Sequence, residues 1–318
     1  MFLTPFLKKL TSPITSELLQ IEIRLLKEIE QNRILSAQPL IQDLKRNSLV
    51  EDIGDAEFKV FSQWGEDGII QYLISRIAVE NKIFVEFGVQ DYRESNTRFL
   101  LVNNNWTGLV IDSSSESIKY IRSQEYYWKY DLTAVCDFVT VDNINELIKG
   151  AGIKGSIGIL SIDIDGNDYW VWNAISAISP QIVIVEYNSS FGNQHAVTIP
   201  YQSDFSREKA HFSHLYWGAS LPAFCSLASQ KGYIYVGSNS VGSNAFFVRK
   251  DSAGNIMECD FHKNFNQSKF RDSRDENGNL SFVSSPNKLE VIKNMYLFDV
   301  GTNQTLQIKD VYSKKSHE

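Results

Sequence analysis

Four short apolar runs each end in a carboxylate: FVEFG with Glu86, GLVID with Asp112, GILSIDIDG with Asp163 and Asp165, and IVIVEYN with Glu186. A fifth, weaker run, AVCDFVTV, carries Asp137. From Glu86 through Asp112, Asp137 and Asp163 to Glu186 the steps are 26, 25, 26 and 23 residues. One strand, one helix and two loops take about that length, so the beat is that of a repeated strand–helix unit. Such units build an open parallel sheet whose strands all point one way, and ligands bind in the crevice outside their carboxyl ends. Five acids are therefore expected along one edge of one sheet.

The expected strands are 83–88, 107–112, 135–141, 157–163 and 181–187, with helices between them. SQWGEDGIIQYLISRI reads as a loop entering a helix with Ile70, Leu73, Ile74 and Ile77 on one face. A helix around 219–231 precedes KGYIYVGSN and SNAFFVRK, two adjacent strands that close the sheet. Upstream, Ser12-Pro13 supplies an N-cap and a first-turn proline. Ile14, Leu18, Ile21, Leu25 and Ile29 then recur at helical steps, and Pro39 is expected to interrupt, with a shorter helix over 40–47. Leu19, Ile23 and Leu26 widen the apolar face. That helix reads either as a cap packed on the main domain or as the interface of a homo-oligomer. Beyond Asp251 the chain turns polar, with a hairpin in MYLFDVGTNQTLQI turning at 301–303. The expected division is a helical extension over 1–57, an α/β domain over 58–250 and a C-terminal extension over 251–318.

With 318 residues and a net charge of −7, the chain has room for one large α/β domain and a smaller appendage. The acidic balance and the lack of a Lys/Arg cluster argue against a nucleic-acid surface. Cys136, Cys225 and Cys259 lie far apart without CxxC spacing, which disfavours a zinc knuckle or disulfide framework and suits a reducing compartment. The opening MFLTPFLKKLTSPITS is no secretory signal, and no stretch approaches the roughly 18 apolar residues of a membrane span. A soluble, cytoplasmic protein is the expectation.

FVEFGVQDYRESNT is a strand, an acid, a single glycine and a polar turn. A dinucleotide site wants G-x-G-x-x-G here, because a pyrophosphate must approach bare backbone. With Gly88 alone, S-adenosylmethionine (SAM) fits better than NAD(P), the runner-up. Glu86 can receive the α-ammonium, Gly88 allows close approach, and Asp112 can take the ribose hydroxyls. Asp112 can equally open the helix begun by the following serines. Gln63 and Asp67 in the 62–67 loop, Ser95, Asn96 and Asp137 complete the expected cofactor set.

SIDIDGNDYWVW places Asp163, Asp165 and Asp168 within six positions, and the next strand delivers Glu186 and Asn188. Mutual repulsion is costly unless a cation or hydrogen bonds offset it, and Mg²⁺ or Mn²⁺ takes oxygen ligands of this kind. Turn and capping carboxylates are the alternative reading. Of five histidines, His195, His211 and His214 sit where a substrate lid would be, His262 lies in the C-terminal region and His317 in the tail. Tyr201, Tyr216 and Trp217 can form a sugar or base platform. Neither a G-x-S-x-G elbow nor a phosphate loop occurs, so serine hydrolase and nucleotidase readings lose support.

FSQWGEDGII, FVEFGVQDYRESNTRFL, GLVIDSS, LSIDIDGNDYWVWNAI, IVIVEYNSSFG, YWGASL and GSNAFFVR together resemble the FkbM-type SAM-dependent methyltransferases of bacterial polysaccharide and glycan biosynthesis, over about 58–250. The resemblance implies a Rossmann-like methyltransferase fold: a mostly parallel seven-stranded sheet with helices on both faces. It also implies O-methyl transfer to a sugar hydroxyl, on a nucleotide sugar or a glycan. DIDGNDY followed by EYN is similar to the paired strand ends of metal-dependent catechol-type O-methyltransferases. By that likeness Asp163, Glu186 and Asn188 hold the metal. The lysine base of that family falls on Gly166, so the base must come from Asp165, His195 or His214. The competing function is a non-catalytic module that acts as an assembly partner through the 14–35 helix.

Overall fold

The computed structural model describes residues 3–46 and 50–313, and for residues 3–16 and 19 the backbone alone; His317 and the side chains of Ser12, Ile14 and Leu19 lie outside the described residues. The strands are β1 (Ile83–Phe87), β2 (Thr107–Asp112), β3 (Leu132–Cys136), β4 (Gly155–Ile162), β5 (Ile178–Glu186), β6 (Val197–Thr198), β7 (Tyr233–Ser238), β8 (Asn244–Arg249), β9 (Tyr296–Asp299) and β10 (Gln304–Gln307). Seven form one sheet in the order β3-β2-β1-β4-β5-β8-β7. β1 to β5 are mutually parallel, and β8 runs antiparallel between β5 and β7. This is the mostly parallel α/β architecture expected of the chain. Its strand order reverses between β1 and β4, which puts the topological switch point there.

The helices are α1 (Leu3–Arg46), α2 (Glu66–Arg76), α3 (Arg98–Asn104), α4 (Ser115–Ser123), α5 (Glu125–Lys129), α6 (Ile144–Gly150), α7 (Asp168–Ala174), α8 (Arg207–Ala210), α9 (Leu221–Lys231), α10 (Asn287–Val291) and α11 (Ile308–Tyr312). Alternation along the strands divides the core in two. Val85, Phe87, Leu160 and Val185 meet Ile148 of α6, Trp172 of α7 and Phe224 of α9 on one face. Phe84, Val110 and Ile184 meet Leu73 of α2, Leu100 of α3, Ile121 of α4 and Tyr126 of α5 on the other. Burial on both faces is why the strands read as continuous apolar runs.

β3 differs from the expected 135–141. Its ladder ends where Asp112 of β2 stands opposite Cys136. Asn143 then accepts from the Thr140 amide and donates to the Phe138 carbonyl, folding the apolar FVT run into a turn.

The N-terminal helix also departs from expectation. Pro13 lies well inside α1, and Pro39 does not interrupt it. An interior proline costs about 3 kcal/mol. Burial of Ala37 and Ile41 against Val60, Phe61 and Phe99 offsets it around Pro39. Gln38 donates to Asn103, and Glu30 pairs with Arg98 at 2.7 Å, fixing the same face to α3. Leu18, Ile21, Leu25 and Ile29 are exposed.

The hairpin turns as expected, with Asp299 accepting from the Gly301 and Thr302 amides. β9 also pairs with β6, making a small sheet of order β10-β9-β6. Phe191, Val197, Leu215 and Tyr216 share a core with Ile292, Leu297 and Ile308. The loop after β5 and the C-terminal residues thus build one cap beside the carboxyl edge of the main sheet.

Candidate functional site

A cleft of about 1090 Å³ runs along that edge and is lined by Gly88, Asp112, Asp137, Asp163 and Glu186, the residues at or just past the ends of β1 to β5. The cadence of strand-end acids therefore describes a real surface, with Gly88 lining it in place of Glu86. The opposite wall comes from the loop before α2 (Gln63, Trp64), the β7–β8 turn (Ser240, Gly242) and the cap (Phe205, Arg207, Trp217, Phe270, Lys288). Trp64 and Phe270 meet edge to face at 6.1 Å, joining the α2 loop to the cap.

Several residues expected at the cofactor are spent on structure. Glu86 is buried; it accepts from the Ser95 hydroxyl, the Asn96 amide, and both the amide and hydroxyl of Thr97. Burial raises its pKa, and those hydrogen bonds pull it back. Ser95 and Asn96 are buried in the same network, and none of the three lines the cleft. Asp67 accepts from the amides of Val60, Phe61 and Ser62 through one oxygen, which fastens the loop ahead of α2. Burial pushes its carboxyl up to about 6. These acids shape the loops that bear Gln63, Gly88 and Gln90.

Asp112 does face the cleft. Its two oxygens take the Gln90 and Ser114 amides, which fixes the carboxylate while each oxygen keeps a free lone pair. Ser114, and not Asp112, caps α4 by accepting from Ser117. Asp137 and Phe138 stand beside it, and the apolar Ile111 and Val139 line the same end.

At the other end Asp163 and Glu186, just past β4 and at the end of the neighbouring β5, line the cleft together, and their carboxyls act on each other. Burial, and after it the neighbouring carboxylates, hold both well above the usual range. One oxygen of Glu186 is buried without a hydrogen-bond partner. The rest of the acid cluster disperses. Asp168 is buried and accepts from the Ile164 and Gly166 amides, so it is a turn-former, and burial raises its pKa to about 6. Asp165 swings out on a left-handed backbone (φ 55°) and pairs with Arg207 at 2.8 Å. A side chain on Gly166 would strike the Phe205 ring at 2.2 Å, which excludes the lysine found there in catechol-type enzymes.

Asn188 reaches the cleft, but its oxygen accepts from Ser190 and its amide donates to the Leu215 and Trp217 carbonyls. The expected metal trio is thus a pair of carboxylates. Among the described residues, no three carboxylate, imidazole or thiolate groups converge as a metal site.

His195 packs against Tyr312, and His214 gives its carbonyl to Arg207; neither lines the cleft. Tyr216 points into the cap, donating to the Tyr296 carbonyl, and Tyr201 packs on Trp170. Of the three aromatics expected at the acceptor, Trp217 alone lines the cleft, with the Arg207 guanidinium 5.0 Å over its ring. Arg207, Lys269, Phe270 and Lys288 were not foreseen. They come from segments with no periodicity or motif, brought over the sheet edge by the cap.

No protein-family model and no curated protein matches the sequence. Solved structures are similar at low identity. The N-terminal domain of EvdMO1 with S-adenosylhomocysteine (SAH) bound is 8% identical, over 63% of this chain and 80% of that one, with a TM-score of 0.38. A putative caffeoyl-CoA O-methyltransferase from Staphylococcus aureus is 13% identical over 72% and 99%, with a TM-score of 0.39. The plantazolicin methyltransferase BamL, in complex with a triazolic desmethylPZN analog and SAH, is 13% identical over 71% and 98%, at 0.36. Such a likeness adds nothing to what the sheet order itself says.

Proposed function

We propose that the chain is a SAM-dependent O-methyltransferase of the FkbM type, acting on a sugar hydroxyl of a nucleotide sugar or glycan in surface polysaccharide biosynthesis. One observation carries the reading. One cleft at the topological switch point joins an end lined by Gly88, Asp112 and Asp137 to a carboxyl pair, Asp163 and Glu186.

In this reading Asp112 takes the ribose hydroxyls, Phe138 and Val139 cover the adenine, and Gly88 and Gln63 flank the methionine end. The acceptor hydroxyl lies between the sulfonium methyl and the Asp163–Glu186 pair. SAM, when bound, would supply an electrophilic methyl group and leave as neutral SAH, so the residues of this chain have to place the acceptor oxygen in line with that methyl and take its proton. The hydroxyl proton passes to the carboxyl pair. Most of the acceleration comes from alignment, since SAM carries its own leaving group. Asp165, His195 and His214 give up the role of base expected for them, because none offers a free side chain in the cleft.

The unpartnered Glu186 oxygen and two adjacent carboxylates also suit a divalent cation, since Mg²⁺ is often held by one or two carboxylates plus substrate. Asp163 and Glu186 would hold it, without Asn188, and it would lower the pKa of the acceptor hydroxyl.

The test is calorimetric titration with SAH, followed by turnover of SAM with a panel of nucleotide sugars, with Mg²⁺ or with EDTA. SAH binding with methyl transfer to a sugar is expected. A chain that binds no SAH would end the reading. A second reading, an assembly module, is favoured by the exposed Leu18, Ile21, Leu25 and Ile29 on α1. It predicts a Leu25→Glu-sensitive oligomer with no turnover; light scattering beside the activity assay separates the two.

A further inference from the structure

The cap side of the cleft has an electrostatic character opposite to the sheet edge. Arg207, Lys269 and Lys288 all line it. Two carboxylates on this side are engaged: Asp165 with Arg207, and Asp272 with Arg274, each at 2.8 Å. Arg207 gives Nε to the His214 carbonyl and Nη1 to Asp165, which leaves Nη2 without a protein partner among the described residues. Lys288 is 6% exposed, yet among the described residues its ammonium has a single acceptor, the Phe270 carbonyl. Neither Lys288 nor Lys269 makes an ion pair among the described residues.

An ammonium held out of water beside a guanidinium, without a carboxylate of its own, is costly until an anion arrives. Burial, and after it the charge of Arg207, lowers the Lys288 pKa, so the two cations feel each other along the cap side. The sheet edge opposite is lined with acids and would repel a phosphate. The cations lining this cleft that would favour an anionic group lie on the cap side.

We propose that Arg207, Lys288 and Lys269 form a phosphate-binding wall, so that the acceptor is a sugar carried on a phosphate or diphosphate. The proposal rests on the methyltransferase reading and selects, within it, a phosphorylated acceptor over a neutral glycan. Arg207 supplies directed donors from its Nη2 end, and the two lysines supply charge. Trp217 lines the cleft beneath Arg207, and its ring face supports the guanidinium in position. Arg207 is also close enough to Glu186 to act on its carboxyl, so a phosphate held there would place the attached sugar next to the Asp163–Glu186 pair.

The test is binding of pyrophosphate, UDP and geranyl diphosphate to the 318-residue chain saturated with SAH, followed by calorimetry. Pyrophosphate and UDP should compete for one site and weaken as salt rises. Arg207→Met and Lys288→Met should each lose about tenfold to a hundredfold in affinity, the range for a charged hydrogen bond. Lys288→Met also removes the tie to Phe270, so Lys269→Ala, at an exposed position, serves as the control for folding. It should keep the melting temperature and lose several-fold in pyrophosphate affinity.

UDP binding more tightly than pyrophosphate would identify a nucleoside diphosphate carrier, and geranyl diphosphate doing so would identify an isoprenoid one; either supports the wall. SAH binding without pyrophosphate binding overturns the wall and leaves the methyltransferase reading standing. Pyrophosphate binding without SAH binding does the reverse. Unchanged pyrophosphate affinity in all three variants also overturns the wall.

Discussion

A β-carbon on Gly88 would stand 1.6 Å from the backbone carbonyl oxygen of Asp163. The turn after β1 and the end of β4 are thus in backbone contact at the switch point, and that contact holds the two ends of the cleft in register. Gly88 also sits at φ 73°, where a side chain is strained. The glycine is required by packing between strand ends, before any ligand arrives. Gly88→Ala should therefore lose stability and cofactor binding together. Overpacking of about 1–3 kcal/mol plus a left-handed penalty of about 1–2 kcal/mol predicts a clearly lower melting temperature. An alanine variant with native melting and native SAH affinity would contradict the packing.

Glu86 and Asp112 should separate in their phenotypes. Glu86→Gln puts an amide donor among the donors of Ser95, Asn96 and Thr97, so about 1–3 kcal/mol of stability should go. Asp112→Ala loses charge-assisted bonds to the ribose, about 1.5–3 kcal/mol, or about a tenfold to hundredfold weaker SAH affinity. Chemical denaturation and calorimetry on both variants measure the two effects. The same phenotype in both would mean that the assignment of roles is wrong.

Asp163→Asn should bind SAH as the unaltered chain does and transfer methyl groups at a small fraction of its rate, since the defect lies at the acceptor. EDTA divides the two readings of the pair. Activity that survives EDTA leaves a proton shared by Asp163 and Glu186; activity lost in EDTA and restored by Mg²⁺ assigns a cation. Full turnover by the asparagine variant would remove Asp163 from the chemistry.

Asp67 and Asp168 predict the direction of stability with pH. Burial raises each from 3.8 to about 6 in the folded chain. Between those values the folded state holds more protons than the unfolded one, so stability falls as pH rises. The contribution is fully present below about pH 4 and lost through about pH 6, on the order of 3 kcal/mol for each group. His211, whose pKa burial lowers, acts in the opposite sense. Urea midpoints should therefore be higher at pH 5 than at pH 7.5. A midpoint that rises steadily with pH would show these carboxyls ionising normally.

The parts of the molecule set by short-range pattern were legible in the sequence. Apolar runs at a fixed beat fixed the order of β1 to β5, and the residues ending them, Asp112, Asp137, Asp163 and Glu186, line one cleft because parallel strands end on one side. The two final strands and the hairpin followed from alternation and turn residues. A carboxylate read from sequence is only a charge with a place along a strand, however. Whether Glu86 and Asp67 meet a ligand or their own loops depended on amides folded around them from up to eleven residues away. Pro39 was misread for a related reason, since the contacts that carry α1 through it come from Phe61 and Phe99. Arg207 and Lys288 carry no sequence signal, being 81 residues apart in polar segments. What brings them over the sheet edge is burial of Ile292 and Leu297 against Phe191 and Val197, a contact that exists only after the chain has closed.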